Sequence, residues 1–125
     1  DLALVADDGG EIVGHVAFQP LGVDPAGPLA LSLAPVSVAP ERQRQGIGSA
    51  LIRAGLARAA ARGADLVFVL GDPAYYGRFG FSVALAAPWR TPWSGQYFQA
   101  LRLSDRAMAT GGALVYPAAF RQGAA

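Results

Sequence analysis

Cysteine and lysine are absent from this 125-residue chain, and histidine occurs only once, at His15. Without cysteine the protein has no disulfide, no thiolate nucleophile and no thiolate metal ligand, and a single histidine excludes a histidine-rich metal cluster. We therefore expect no metal. The lack of lysine argues against a P-loop NTPase, whose phosphate loop needs Gly-Lys-Ser/Thr at the start of its helix. Asparagine is missing too while alanine is abundant, which is typical of a GC-rich bacterial genome.

Charge and long apolar runs are also scarce. Charged residues make up 15% of the chain and the formal net charge is +1, which argues against nucleic-acid binding. No apolar run approaches the ~20 residues needed to span a bilayer, and no signal-peptide pattern is visible. We expect a cytoplasmic protein with one domain over residues 1–125 and with no nucleic-acid or membrane partner. Its surface is expected to carry few charges, which is compatible with a homodimer.

Hydrophobic periodicity and turn residues predict several short strands and one long helix. The strands are expected at residues 2–6, 11–18, 29–38, 65–70, 97–103 and 113–116, the long helix at 46–62, and loops at 20–28 and 88–95. The helix carries one apolar stripe, made by Gly48, Leu51, Ile52, Gly55, Leu56 and Ala59. Asp72 and Pro73 predict the start of a short helix. The order of elements predicts an α/β (α+β) fold, in which helices flank a mixed, largely antiparallel twisted sheet.

Residues 36–49 carry the most informative pattern. An apolar strand runs into a polar, arginine-bearing turn, and Gly46 and Gly48 then open an alanine-rich helix. The first N–H groups of a helix have no partner within it, the helix dipole places positive charge there, and glycine leaves room for an anion. The pattern predicts a phosphate or pyrophosphate site. The alternative is a glycine-rich turn that only lets the helix pack closely; a dinucleotide fingerprint is ruled out by Leu51 in place of its third glycine.

Two blocks of sequence resemble the GNAT superfamily of N-acetyltransferases. Gln43-x-x-Gly46-x-Gly48 is similar to the superfamily's acetyl-CoA pyrophosphate loop. Further on, Tyr76 begins a Tyr-x-x-x-Gly-Phe segment that resembles its second signature. The sequence Gly-Asp-Pro-Ala-Tyr-Tyr at residues 71–76 is similar to a motif of a subgroup of small, mostly uncharacterised bacterial members. The resemblance covers residues 2–120, and it implies an acetyltransferase-like fold in which the usual N-terminal strand and helices are missing ahead of residue 2.

The resemblance implies acetyl-CoA as cosubstrate and assigns residues to it. Backbone groups of Val36, Ser37 and Val38 would pair with the pantetheine like an added strand, next to a bulge at Pro35. The pyrophosphate would lie against the N–H groups of Gln43, Arg44, Gln45, Gly46, Ile47, Gly48 and Ser49.

Tyr76 matches the tyrosine that acts as general acid toward the coenzyme A thiolate in many members of the superfamily. A phenol with a pKa of about 10 keeps its proton at neutral pH and can give it to a leaving thiolate. The alternative is that Tyr76 only packs under the cofactor. Tyr75 is one residue off the motif spacing and is expected to line the core or the pocket.

The general base is left open among His15, Glu11, Glu41, a water relay and a segment ahead of residue 2. The acceptor is expected to be the primary amine of a small molecule or a protein. Trp89, Trp93, Tyr97 and Phe98 form either an acceptor pocket or a satellite core. The function expected is acetyl transfer from the thioester to the amine by direct attack, and the alternative is a non-catalytic CoA-binding sensor or regulatory module.

Overall fold

The computed structural model describes residues 2–24, 26–105 and 111–116, and the predicted single domain over residues 1–125 also takes in stretches outside this range. The strands are β1 (Leu2–Asp8), β2 (Glu11–Asp24), β3 (Ala30–Val38), β4 (Leu66–Leu70), β5 (Trp89–Arg90), β6 (Phe98–Arg102) and β7 (Gly112–Val115). The α-helices are α1 (Ile47–Ala61), α2 (Pro73–Tyr76) and α3 (Val83–Ala86), and short 3-10 turns cover Pro40–Arg42 and Gly77–Phe79.

The strands form one mixed sheet in the order β5-β7-β2-β3-β4-β6, with β1 paired to β2. Two pairs are parallel, β3 with β4 and β5 with β7, and the other pairs are antiparallel. The hairpin between β1 and β2 turns at Gly9 and Gly10, whose φ angles are 61° and 94°. Positive φ at both turn residues is the geometry of a two-residue hairpin, and glycine adopts it without strain. The predicted mixed, largely antiparallel sheet with flanking helices is confirmed.

The predicted loop at residues 20–28 was wrong in its first half, because β2 continues to Asp24. Pro20 and Leu21 pair with β3, and Gly22–Asp24 pair with β7. Pro20 lies between the stretch of β2 that pairs with β1, which ends at Phe18, and the stretch that pairs with β7. On one side of Pro20 no strand is paired with β2. The N–H that proline lacks is therefore not needed for a hydrogen bond on that side, and the strand tolerates the residue.

Two hydrophobic clusters occupy opposite faces of β4. Val67 and Val69 belong to the cluster that packs α1 against the sheet, whereas Leu66 and Phe68 belong to the second cluster. This alternation is the two-residue period of a strand buried on both faces. The predicted stripe of α1 is confirmed for Leu51, Ile52, Gly55, Leu56 and Ala59, all of which are buried.

Ala86 and Trp89 of the second cluster come from a segment in which the sequence predicted no helix or strand. Residues 82–90 contain α3 and the short strand β5. The side chain of Ser82 accepts a hydrogen bond from the N–H of Leu85 at 3.2 Å and caps α3, and the Trp89 ring packs edge-on against Phe68 at 5.8 Å. Elements of two to four residues carry too little periodicity to be read from sequence. No helix of the described segments has both the length and the apolar character to cross a membrane.

Candidate functional site

A gap opens between β3 and β4 at the end of β3 that leads to α1. The parallel ladder joins Ala30, Leu31 and Ser32 to β4, and the described residues of β3 beyond Ser32 have no partner there. The register between β2 and β3 shifts by one residue next to Pro35, so two residues of β3 lie opposite Ala17. A bulge of this kind bends a strand away from its neighbour. The backbone of residues 36–38 therefore lines an open edge.

The turn that leads into α1 holds its backbone amides ready for an anion. Arg44 has φ 66° and Gly46 has φ 82°, both in the left-handed region. In the described part of the chain, the N–H groups of Ile47, Gly48 and Ser49 have no acceptor, and the first amide bonded back is that of Ala50, to the carbonyl of Gly46 at 3.0 Å. No acidic side chain lies in the first turn and no side chain caps it. Left-handed backbone next to a helix N-terminus forms a concave cluster of N–H donors that suits phosphate oxygens.

The turn is tied to its surroundings on two sides. Arg42 forms an ion pair of 2.6 Å with Asp8 of the β1–β2 hairpin, and the hydrogen bond to Asp8 raises the pKa of Arg42, which keeps the guanidinium charged. The Nε2 of Gln43 donates to the carbonyl of Val38 at 3.2 Å. The side chains of Arg42 and Gln43 therefore brace the loop, while the amides that follow stay accessible.

A groove forms where the first turn of α1 meets the open edge of β3. A Cβ atom added at Gly48 would lie 3.5 Å from the Tyr75 hydroxyl, 3.6 Å from Val38 Cγ2 and 3.9 Å from Val36 Cγ1. We call this space, bounded by Gly48, Val36, Val38 and Tyr75, the Gly48 groove. An alanine methyl at Gly48 would touch the other three residues at ordinary van der Waals distance, and glycine leaves that space without a side chain. Tyr75, expected in the core or the pocket lining, lies partly buried at its wall, and its hydroxyl is 3.3 Å from Ser49 Oγ.

Tyr76 lies half-buried at the end of β4, on the face of the sheet that α1 covers. Its ring lies against the backbone of Gly71, where an added Cβ would come within 2.5 Å of the ring, and it packs edge-on against Phe81 at 5.9 Å. Burial raises the pKa of Tyr76, with a smaller contribution from Tyr75. The phenol is therefore protonated throughout the neutral range. The neighbouring tyrosines thus have different surroundings, Tyr75 at the groove and Tyr76 against the strand end.

Gln99 is a polar residue near this site that sequence reasoning missed. It is 1% exposed, and its Nε2 donates to the carbonyl of Gly71 at 3.0 Å and to that of Tyr97 at 3.4 Å. Its Oε1 is buried without a hydrogen-bond partner in the described chain. Gln99 therefore holds the strand end on which Tyr76 rests. A lone glutamine in the apolar run of β6 was the available signal, since a buried amide must find partners.

The candidates for a general base lie apart from Tyr76. Gly14 faces α1, because an added Cβ there would meet Leu51 at 2.9 Å. His15 is the next residue of β2 and lies opposite Ser37 in the pairing, so strand alternation places it on the other face. Glu11 is exposed at the start of β2, and Glu41 is exposed in the 3-10 turn Pro40–Arg42. The described residues contain no group of three His, Asp or Glu side chains that could hold a metal ion.

The four aromatic residues proposed for an acceptor pocket do not form a single wall. Trp89 and Phe98 are buried in the second hydrophobic cluster, and Trp93 packs edge-on against Tyr116 at 4.6 Å. Tyr97 is 53% exposed. Trp89 and Phe98 are thus part of a satellite core, which was the alternative that the sequence left open.

Comparison with known proteins places this geometry in a family. Residues 1–83 match the family described as "Acetyltransferase (GNAT) domain". The uncharacterised N-acetyltransferase YhbS of Escherichia coli K12 is 39% identical over 110 residues, which cover 86% of this chain. These residues span 66% of the length of that relative.

Two solved structures resemble the whole described fold. The crystal structure of Escherichia coli YhbS in complex with CoA superposes with a TM-score of 0.85 at 35% identity, covering 95% of this chain and 68% of that one. A GNAT family acetyltransferase from Brucella melitensis in complex with acetyl-CoA has a TM-score of 0.76 at 40% identity, covering 94% of this chain and 67% of that one.

Proposed function

The chain belongs to the GNAT acetyltransferase family, and on this premise we propose that it is an acetyl-CoA-dependent N-acetyltransferase that acts on a primary amine. The observation that carries the proposal is the turn before α1. Its amides at Ile47, Gly48 and Ser49 have no acceptor in the described chain, and they adjoin the open edge of β3. Both features suit a ligand in which a diphosphate is joined to an amide-bearing chain, as it is in coenzyme A.

The residues at the groove fit that ligand. The N–H groups from Gln43 to Ser49 would hold the diphosphate, helped by the positive end of α1 and the guanidinium of Arg44. Backbone groups of Val36, Ser37 and Val38 would pair with the pantetheine amides in the manner of an added strand. Gly48 supports this fit, because it carries no side chain in the space beside Val36, Val38 and Tyr75, where an added Cβ would contact all three. That two relatives were crystallised with CoA or acetyl-CoA supports it as well.

The chemistry requires little beyond orientation and one proton donor. The acetyl thioester supplies an activated carbonyl carbon, which the neutral amine attacks directly. A C–N bond forms and the C–S bond breaks. The amine gives one proton to solvent, and the leaving thiolate takes one proton from the Tyr76 hydroxyl. Solvent then returns a proton to Tyr76. Holding both reactants in line contributes roughly 7–11 kcal/mol in the best cases, and a positioned acid adds about 10²–10⁴-fold in rate.

The acceptor in this proposal is a primary amine of a small molecule or a protein. The direct mechanism demands that the amine be neutral when it attacks, so the rate rises with pH through the neutral range. Tyr76 stays protonated over that range because burial raises its pKa. Over the neutral range, the Tyr76 hydroxyl is thus available to the thiolate while the deprotonated fraction of the amine grows.

Calorimetry and turnover measured on the same preparations test the proposal. The parent chain is titrated with coenzyme A and assayed with acetyl-CoA and a panel of primary amines, following release of the free thiol. Tyr76→Phe is expected to bind coenzyme A as the parent does while its kcat falls by about 10²-fold or more. A parent that binds coenzyme A but turns over no amine points to the non-catalytic module. A parent that does not bind coenzyme A refutes the proposal.

A further inference from the structure

Tyr75 and Ser49 share a hydrogen bond that joins the tyrosine-bearing helix α2 to the first turn of α1. The two hydroxyl oxygens are 3.3 Å apart, and either can be the donor. Both side chains are partly buried, and the bond spans 26 positions along the chain. The pair therefore lies at the wall of the Gly48 groove, next to Gly48 itself.

The number of hydroxyl hydrogens in this pair has a consequence for binding. Tyrosine and serine each carry one O–H, and each oxygen can also accept. The bond between them uses one of the two hydrogens. In the described chain neither hydroxyl has another partner, so one O–H remains for an acceptor in the groove, whichever residue donates to the other.

The surroundings hold the phenol in place. The Tyr75 ring packs edge-on against Tyr76 at 5.0 Å and against Phe79 at 5.4 Å. The guanidinium of Arg78 lies over its face at 4.8 Å from the ring centre. A ring packed on three sides has little rotational freedom, so its hydroxyl is directed rather than mobile.

We infer that the Tyr75–Ser49 hydroxyl pair binds coenzyme A by donating one hydrogen bond to an oxygen of the coenzyme beside Gly48, where its diphosphate joins the pantetheine. The inference rests on the proposed function and divides the work of the two tyrosines. Tyr75 sets affinity for the coenzyme, and Tyr76 supplies the proton. An oxygen is the expected partner because the adjoining amides of the first turn all donate and no acidic side chain lies beside them.

Removing the two hydroxyls singly and together tests the inference. Tyr75→Phe and Ser49→Ala each leave one hydroxyl that still reaches the ligand, so each is expected to raise the Kd for coenzyme A by about two- to fivefold. The double variant removes the last donor and is expected to raise the Kd by about 50-fold, beyond the product of the single effects, which is the scale of a lost hydrogen bond to a charged group. In turnover, Tyr75→Phe is expected to raise the KM for acetyl-CoA at nearly constant kcat.

A matched control comes from a similar pair in the second hydrophobic cluster. Tyr116 and Thr91 also share a hydroxyl–hydroxyl bond, of 3.1 Å, and Tyr116→Phe is expected to leave the Kd and KM at the parent values. The inference is overturned if the double variant binds coenzyme A at least as tightly as the weaker-binding single variant and the increases in Kd follow the decreases in melting temperature. That result would assign the pair a structural role. A fall in kcat alone in Tyr75→Phe would also overturn it.

The outcome for the parent separates the two proposals. A parent that binds coenzyme A, with all three variants equal to it, overturns the inference and leaves the proposed function standing. A parent without measurable binding overturns both.

Discussion

Gly71→Ala places a methyl group where the ring of Tyr76 lies. The added Cβ would come within 2.5 Å of Tyr76 Cε2 and 3.1 Å of Cδ2, whereas ordinary contact begins at 3.4 Å. The atom it meets belongs to a ring that packs against Phe81 and Phe79. Because the β4 end is held by the hydrogen bond from Gln99, the ring rather than the strand is expected to move, by about 1 Å.

A displacement of this size should reduce turnover far more than cofactor binding. A misplacement of about 1 Å in a reacting group costs on the order of 10²-fold in rate. The amides of the turn before α1 are untouched, so the affinity for coenzyme A is expected to stay at the parent value. The measurement is kcat from thiol release, with the Kd from calorimetry and the melting temperature on the same preparations.

Gly77→Ala is the matched control. Gly77 lies beside Tyr76 with φ −57°, and an added Cβ would meet nothing within 4 Å. Alanine at this helical position should leave kcat unchanged and stabilise the fold by about 0.4–1 kcal/mol through the unfolded chain. A folded Gly71→Ala variant with the parent's kcat would show that the position of Tyr76 does not matter to the reaction, and the reasoning about this residue would fail.

Three further outcomes follow from the same structure. Gly46→Ala forces alanine into a left-handed φ of 82°, so it should lower the free energy of unfolding by about 1–2 kcal/mol and weaken coenzyme A binding. Chemical denaturation and calorimetry measure the two effects, and an unchanged stability and Kd would contradict the role of the turn. Gly55→Ala drives a methyl into the ring of Phe18 and should destabilise the fold by about 1–3 kcal/mol, whereas a parent-like melting temperature would mean that α1 can shift on the sheet. Burial raises the pKa of Tyr76 and Tyr116 above the ordinary 10.0, so these tyrosines ionise at lower pH in the unfolded chain than in the folded one. Their contribution to the free energy of unfolding should be constant below pH 10.0 and fall as the pH rises above it. Denaturant titrations that show no fall at alkaline pH would contradict the burial.

Local signals predicted the strand and the helix on either side of the glycine-bearing turn, β3 and α1. The end of the strand, the arginine-bearing turn and the two glycines at the start of α1 lie within about fourteen positions along the chain. A helix N-terminus carries its unpaired amides wherever it is folded. The stripe on α1 could likewise be predicted, because its period depends only on helix geometry. The assignment of residues 36–38 and 43–49 to the coenzyme stays a prediction.

What the sequence determined by itself is therefore the class of fold and the loop that suits a diphosphate, since both depend on neighbours along the chain. Tertiary structure decided the rest. The hydroxyl of Tyr75 meets Ser49 from 26 positions away, and Gln99 reaches Gly71 from 28 positions away. Such contacts arise only when the helices and strands pack together. The different surroundings of Tyr75 and Tyr76 arise in the same way, because adjacent residues of a helix point in different directions and only the packed neighbours determine what each one meets.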